Sequence, residues 1–340
     1  MSEITTIGLD LAKNIFQVHA VDATGAVVLR KTLRRAQVLA FFAGLPTCLI
    51  GMEACATSHY WGRELMALGH EVKLMPPQYV KAYVRRNKND AADAEAICEA
   101  VRRPSMRFVP LKTPEQQSVL AMHRVRELLV RQRTMLSNAV RGHMAEFGII
   151  RARGQHKIAE LIELVQHEGN RLLPELLRDL LASIARQLEQ LRLEIAAVDQ
   201  KIITWHKSDA VSQRLASIPG IGPVTASAIA ASVPKAGAFR NGREFAAWLG
   251  LAPKQNGTGG KTRLGGISKR GDGYLRRLLV NCAMAALQRS KAIRSSPWTK
   301  SMLERGKRPL VIAVALANKS ARIAWAIMNS GVAYRHPVSA

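Results

Sequence analysis

The first hundred residues alternate short apolar runs of strand length with segments that suit helices, and this alternation limits the fold more than any other feature. The runs are rich in β-branched residues, which favour strands, and turn residues separate them. Strands that alternate with helices predict an α/β domain. The predicted strands cover residues 4–13, 15–21, 26–33, 47–52 and 71–75, and the predicted helices cover residues 37–45, 60–68 and 78–84.

Four carboxylates lie at or near the ends of these predicted elements. Asp10 is out of place in an apolar strand, and a buried carboxylate without a partner is costly, so Asp10 needs one. Glu53 follows a predicted strand at its carboxyl end, which is the edge where α/β sheets build their sites. Asp90 and Asp93 stand three residues apart at the start of a helix predicted from Lys88, so they share one helix face.

A divalent cation would account for these four acids together. Crowded carboxylates repel one another unless a cation neutralises them, and ligands that are all oxygen favour Mg²⁺ or Mn²⁺. The alternative is that Asp90 is only a helix N-cap and that Asp93 only complements the helix dipole, since acids commonly have these roles in a first turn.

The charge of the chain is strongly positive and unevenly spread. The 340 residues contain 50 Lys and Arg against 25 Asp and Glu, a formal net charge of +25. Residues 1–100 carry 11 basic and 10 acidic residues, and residues 101–340 carry 39 and 15. A surplus of this size indicates binding to phosphate backbones, with a membrane surface as the weaker alternative.

Other features restrict the class of protein further. No apolar run is predicted to reach the ~20 residues of a membrane span, and no signal peptide precedes the first strand, so a cytoplasmic protein is expected. The cysteines show neither a CxxC pair nor histidines at zinc spacing, which argues against structural zinc and a disulfide framework, and buried thiols are expected. The cysteines are Cys48, Cys55, Cys98 and Cys282.

Long helices are predicted in the middle of the chain. Residues 116–147 contain five arginines that form either a solvated face or a face that grips a nucleic-acid backbone. Apolar residues from Leu177 to Trp205 then recur in steps of four and three, the seam of a coiled coil. The partner helix is either the preceding helix of the same chain or the same helix of another protomer. The arginines are Arg124, Arg126, Arg131, Arg133 and Arg141.

The segment Ile218–Ile229 connects two predicted helices through a Gly-x-Gly step at Gly220 and Gly222. Such a hairpin presents backbone N–H groups at a helix N-terminus, where a phosphate accepts them. The segment is similar to helix-hairpin-helix DNA-binding elements. The alternative is an ordinary glycine-containing connection between helices.

Residues 254–273 are glycine-rich, basic and poor in apolar anchors, which predicts a mobile loop, and a plain disordered linker is the simplest alternative. Hydroxyls interleaved with cations also suit nucleophilic attack on a phosphodiester. Tyr60 and Tyr274 could also be nucleophiles, but neither lies beside a comparable run of glycines and cations.

Helices predicted at 274–288 and 310–328 complete an all-α region. The cations in and after the loop are Lys254, Lys261, Arg263, Lys269, Arg270, Arg276 and Arg277.

Taken together, these segments resemble the DEDD insertion-sequence transposases, the bridge-RNA-guided serine recombinases that include the pilin-gene invertase. The resemblance covers nearly the whole chain and implies an RNase H-like (RuvC-like) first domain. The matching motifs are Gly8-Leu-Asp10-Leu-Ala-Lys13, Met52-Glu53-Ala, Lys88-Asn-Asp90-Ala-Ala-Asp93-Ala, Ile218-Pro-Gly-Ile-Gly-Pro223 and Gly265-Gly-Ile-Ser-Lys-Arg-Gly271.

The resemblance also implies a function. The protein is expected to be an RNA-guided DNA recombinase that acts as a dimer or tetramer, with Mg²⁺ held by Asp10, Glu53, Asp90 and Asp93. The family nucleophile is a Ser in a Ser-Gly step, which aligns here with Thr258-Gly259, and Ser268 is the alternative. The glycines at 220 and 222 and the cations named above would contact nucleic acid.

Three regions are therefore predicted: an RNase H-like domain at 1–105, a helical linker and coiled coil at 106–207, and a helical transposase domain at 208–340. Two other functions fit the same residues. A nuclease of the Holliday-junction resolvase type would use the acids to activate water, without a protein nucleophile. A non-catalytic architectural protein would use them only as helix caps and ion-pair partners.

Overall fold

The structure is a computed structural model, and it describes residues 3–84, 90–152, 154–166, 172–233 and 235–335. The chain forms two compact units. The first contains residues 1–115 and 233–240, and the second contains residues 116–232 and 241–340. Lys88 and Asn89, from which the helix bearing Asp90 was predicted to start, lie outside the described residues.

The first unit is built on a five-stranded mixed sheet with the order β3-β2-β1-β4-β5. The first three strands form an antiparallel meander, and β4 and β5 add to β1 in parallel. This mixed α/β arrangement agrees with the predicted fold class. The elements are β1 (Thr6–Asp10), β2 (Ile15–Val21), β3 (Val27–Arg34), α1 (Val38–Ala43), β4 (Leu49–Glu53), α2 (Ser58–Ala67), β5 (Glu71–Met75), α3 (Pro77–Val80) and α4 (Asp90–Val101).

Two apolar clusters hold this sheet between helices. Ile7 and Leu9 of β1 belong to a cluster that also contains Phe42 of α1 and Trp61 of α2. Successive residues of a strand point to opposite faces, so Gly8 faces the other way. There α4 packs against β1, β2 and β4. The sheet therefore separates α1 and α2 from α4, which is why its central strands β1 and β4 are almost entirely buried.

The second unit is mainly helical, and it also contains a β-hairpin. This confirms the predicted helical C-terminal region but not its all-α character. Its elements are α5 (Pro114–Ala145, which begins in the first unit), α6 (Gln155–Gln166), α7 (Glu175–Ser208), α8 (Ala210–Ala216), α9 (Pro223–Ser232), α10 (Gly242–Trp248), β6 (Pro253–Thr258), β7 (Lys261–Ile267), α11 (Gly273–Arg289), α12 (Lys291–Ser295), α13 (Pro297–Glu304) and α14 (Pro309–Ser330).

The heptad seam predicted from Leu177 to Trp205 lies on α7, and it packs within the chain. Its most buried residues are seven apart. Leu181 and Leu188 share a cluster with Val140 and Met144 of α5 and with residues of α6. Arg126 of α5 pairs with Asp199, so α5 and α7 run antiparallel. A seam between protomers remains a prediction. The most buried seam residues are Leu181, Leu188, Ile195 and Ile202.

The glycine-rich segment predicted as a mobile loop is mostly a two-stranded antiparallel hairpin, β6–β7. Gly259 and Gly260, with φ of 57° and 77°, form its two-residue turn, a conformation that favours glycine and matches the twist of a hairpin. The strands escaped prediction because almost all their residues are exposed, so no apolar alternation marks them.

Helix α14 corrects another expectation. It is long and apolar enough to span a membrane by length and composition, although no apolar run of that size was predicted. Its alanine side packs in the second unit against α8, α10 and α11. These contacts account for the alanine side, and 33% of the helix's most apolar stretch is buried in the described structure. The fully buried alanines are Ala313, Ala317, Ala321 and Ala324.

Candidate active site

The candidate site of the first unit begins where two parallel strands end side by side. Leu9 of β1 is in register with Met52 of β4, so Asp10 and Glu53 follow at equivalent positions on neighbouring strands. Both lie at the carboxyl edge of the sheet, as predicted for Glu53. Asp10 and Glu53 are both half-buried.

Two glycines bring α4 onto this part of the sheet. Gly8 and Gly51 are paired across β1 and β4. A Cβ on Gly8 would lie 2.1 Å from the carbonyl oxygen of Ala94, and a Cβ on Gly51 would lie 2.7 Å from the Cβ of Val101. The helix thus packs closer to the backbone of these strands than any side chain would allow.

This close packing brings three of the four predicted acids together. One carboxylate oxygen from each of Asp10, Asp90 and Asp93 lies within 4.8 Å of the other two. Among the described residues, Glu53 is not part of this group of three, and it lies at the neighbouring strand end. Asp90 is exposed, and Asp93 is half-buried on the same face of α4.

The field of these acids reaches an exposed thiol that the sequence pattern predicted to be buried. Partial desolvation by neighbouring protein atoms raises the pKa of the Cys55 thiol, and the negative charges of Glu53 and Asp10 raise it further. Cys55 is exposed, whereas Cys48 and Cys98 are buried as expected. Asp10 and Glu53 both act on this thiol because they lie at equivalent positions on neighbouring strands.

Gly8 and Gly51 were missed as site residues, although the sequence contained a signal for them. Each is a glycine inside a predicted strand, a position that weakens a strand unless another backbone approaches closely. Their pairing across two strands that are distant in sequence could not be read from either strand alone.

The two candidate nucleophiles lie at opposite ends of the hairpin in the second unit. Thr258 is exposed beside the turn and pairs with Lys261. Ser268 is half-buried at the base, where its backbone N–H donates to the carbonyl of Ala252 at 2.8 Å. The N–H of Arg270 donates to the Ser268 hydroxyl at 3.4 Å. The structure therefore separates the two hydroxyls along the hairpin.

The predicted cations differ in their surroundings. Lys254, Lys261 and Arg263 lie on the exposed strands of the hairpin, and Lys269 and Arg270 are exposed beyond it. Arg276 donates to the carbonyls of Leu249 and Arg270 at 3.0 and 3.4 Å. Arg277 is bonded to Glu127 of α5.

Tyr274 has a structural environment that does not suit a nucleophile. Its hydroxyl is hydrogen-bonded to Nδ1 of His123 at 3.0 Å, and Nε2 of His123 is bonded to the Ser227 hydroxyl at 3.1 Å. Burial raises the pKa of Tyr274 to about 12 and lowers the pKa of His123 to about 4. The phenol is thus held protonated, and the imidazole is neutral.

The predicted Gly-x-Gly connection is a turn between α8 and α9. A Cβ on Gly220 would lie 2.9 Å from the Cβ of Ala286 in α11, whereas nothing lies within 4 Å of a Cβ on Gly222. Gly220 therefore serves packing, and Gly222 is the more open of the two positions. Binding of DNA by this turn remains a prediction.

Comparison with known proteins covers both units. A family model described as a transposase, of the DEDD IS110 type, matches residues 7–149, and the model of the transposase IS116/IS110/IS902 family matches residues 212–297. A probable family 20 transposase of Pseudomonas aeruginosa is 52% identical over 98% of this chain and 99% of its own length. The transposase for insertion sequence element IS1328 of Yersinia enterocolitica is 42% identical over 98% of this chain and 99% of its own length. The transposase for insertion sequence element IS1111A of Coxiella burnetii is 39% identical over 98% of this chain and 92% of its own length.

Proposed function

Because the chain belongs to the IS110 family of insertion-sequence transposases, we propose that this DNA transposase cuts and rejoins donor and target strands with the sheet-edge acids and the β6–β7 hairpin. The observation that carries the proposal is the convergence of Asp10, Asp90 and Asp93 within 4.8 Å. Three acids of two separate segments converge at the edge of the sheet where catalytic sites form.

The donor set fits a divalent cation with oxygen ligands. Mg²⁺ binds oxygens at about 2.1 Å in octahedral geometry, which places its ligand oxygens roughly 3 to 4 Å apart. The carboxylate oxygens of the three aspartates, within 4.8 Å of one another, are close to this separation. Asp10, Asp90 and Asp93 would hold the ion, and Glu53 would complete the set from the neighbouring strand. When bound, Mg²⁺ or Mn²⁺ would polarise the scissile phosphate.

The protein's own groups would carry out the covalent step. The Thr258 hydroxyl attacks the phosphorus and loses its proton, a new phosphorus–oxygen bond forms, and the bond to the leaving strand oxygen breaks as that oxygen is protonated. Attack by the hydroxyl of the second strand on the protein-linked phosphate then rejoins the DNA and restores Thr258. Lys261 and Arg263 would offset the charge of the transition state.

Several further features belong to the same proposal. Lys254, Lys269, Arg270 and Arg277 would contact phosphates, as would the turn at Gly222. A guide RNA would select the DNA by base pairing, so side chains would not encode the target. The acids and the hairpin belong to different units, and we propose that a dimer or tetramer combines the acids of one protomer with the hydroxyl of another. The protein would act in the cytoplasm.

The test is the covalent protein–DNA product, trapped by denaturation during the reaction with cognate RNA and DNA. Thr258→Ala should eliminate this product and leave nucleic-acid binding close to normal, because the hydroxyl acts only in the chemical step. Thr258→Ser should retain or raise activity, because the methyl group no longer crowds the attacking oxygen. Thr262→Ala, on the facing strand, is the matched control and should still form the product.

Two other results would change the assignment. If Thr258→Ala still forms the product and Ser268→Ala does not, Ser268 is the nucleophile. If DNA is cut without any covalent product, the alternative is a resolvase-type nuclease, in which the acids activate water. The substitution of Thr for the family Ser is the observation that favours this second candidate.

A further inference from the structure

The β6–β7 hairpin projects from the second unit with both strands exposed. The direction in which it points is therefore set by the residues that hold its first and last positions. Residues 253–266 are all exposed, and Thr258 lies at the far end. A strand rises about 3.3 Å per residue, so the five steps from Pro253 to Thr258 span roughly 16 Å. A tilt of about 10° at the base would therefore move the Thr258 hydroxyl by roughly 3 Å, which is more than an attacking group tolerates.

One guanidinium joins the two chain segments that enter and leave this hairpin. Arg276 lies in the first turn of α11, and its Nη1 donates to the carbonyl of Leu249, before β6, at 3.0 Å. The same nitrogen lies 3.4 Å from the carbonyl of Arg270, after β7. A Cβ on Gly250 would lie 2.8 Å from this nitrogen, so the guanidinium fills the space beside the glycine.

The surrounding backbone is packed tightly enough to make this link rigid. A Cβ on Gly271 would lie 1.8 Å from the carbonyl oxygen of Trp248, and a Cβ on Gly250 would lie 2.1 Å from that of Arg270. Lys269 has a φ of 55°, and its N–H donates to the carbonyl of Gly250 at 3.1 Å. The backbone before β6, at residues 248–250, is thus in direct contact with the backbone after β7, at residues 269–271, and Arg276 lies beside this contact.

We propose that Arg276 is a positioning residue for DNA strand transfer, which fixes the direction of the hairpin and thereby places the attacking hydroxyl. This inference rests on the proposed function, in which the hairpin carries the nucleophile. It also replaces the sequence-based expectation that Arg276 contacts nucleic acid. A planar guanidinium suits this role because its several donors have a fixed geometry, so one side chain can bind two carbonyls at once.

The experiment compares full-length Arg276→Met and Arg276→Lys with the matched control Arg289→Met, which removes an exposed arginine at the other end of α11. Three quantities are measured: the rate of covalent product formation with saturating DNA, DNA affinity, and amide hydrogen exchange in peptides that cover the hairpin. Thr258→Ala is assayed beside them.

Arg276→Met should lower the rate by about 30- to 100-fold, while DNA affinity stays within about twofold of the control. Hydrogen exchange should become faster in the hairpin and remain unchanged in α14. Arg276→Lys should recover part of the rate, because an ammonium can still donate to the carbonyls. Arg289→Met should react like the unchanged protein.

Other outcomes would overturn the inference. A loss of DNA affinity that parallels the loss of rate would make Arg276 a phosphate contact. Faster exchange throughout the second unit would make it a general stabilising residue. If Thr258→Ala abolishes the product and Arg276→Met reacts normally, only the positioning role is wrong. If Thr258→Ala and Ser268→Ala both react normally, the proposed function itself is wrong.

Discussion

At the scale of single residues, the acids of the first unit show how environment assigns roles to chemically similar side chains. Asp10 ends a buried strand, whereas Asp90 and Asp93 begin a helix. The acidic first turn suits the positive end of the helix dipole, so capping and cation binding are compatible roles for these two residues. Their convergence with Asp10 is the feature that capping does not require.

Asp93→Asn should abolish strand cleavage, with a fall in rate of at least about 10³-fold, and leave DNA binding unchanged. Asparagine keeps the shape of the side chain but removes the charge that a bound cation needs. Glu99→Gln is the matched control, since it removes a carboxylate of the same helix that pairs with Arg103. Cleavage and gel-shift assays check this prediction, and an equal loss of binding would indicate a structural role for Asp93.

At the scale of secondary-structure elements, the position of α4 decides whether the acids meet. The helix lies against Gly8 and Gly51 because both strands lack side chains where it crosses them. Side-chain size also sets the position of α7, whose buried seam residues fill the space beside α5 and α6. In each case, small or regularly spaced residues set the distance between two elements.

Gly8→Ala should displace α4 and separate Asp93 from Asp10. The added methyl group would overlap the carbonyl of Ala94, which should lower the free energy of unfolding by about 1 to 3 kcal/mol and reduce cleavage. Gly44→Ala is the control, because its Cβ would lie 3.6 Å from the nearest atom. Denaturant unfolding and cleavage rates test this. Wild-type stability in Gly8→Ala would show that α4 is not held by this contact.

At the scale of the whole molecule, charge and chemistry are divided between different parts of the chain. Residues 1–100 are nearly neutral and contain the acids, whereas residues 101–340 hold most of the positive charge and the hairpin. A neutral part tolerates a cluster of carboxylates, and a basic part attracts nucleic acid by counterion release. The proposed pairing of the acids of one protomer with the hairpin of another rests on this division.

Mixing two inactive variants tests whether the proposed site combines two protomers. In a mixed dimer of Asp93→Asn and Thr258→Ala, a site formed between protomers leaves one of the two sites intact. When the two variants exchange subunits at random, about half of the dimers are mixed. The mixture should therefore recover about a quarter of wild-type activity. Each variant alone serves as the control. A site formed within one chain would give no restoration, because neither protomer would then hold both functional groups.

The sequence by itself determined the elements of the sheet, the carboxylates at their ends and the long heptad helix. These features depend on local periodicity: β-branched runs mark buried strands, and steps of three and four mark a helix face. The family was also recognisable, because its motifs occur in order along the chain. Local pattern and motif order were thus sufficient to identify Asp10, Glu53, Asp90 and Asp93 as candidates.

Only the tertiary structure decided which of these residues meet. The convergence of Asp10, Asp90 and Asp93 depends on a helix that packs on two glycines from separate strands, a contact between segments distant in sequence. The hairpin could not be predicted because its exposed strands carry no apolar alternation. The sequence also did not distinguish Arg276, which donates to the carbonyl of Leu249, from the other basic residues around it. Local patterns encode which face of an element is buried, whereas contacts between elements depend on the packing of the whole chain.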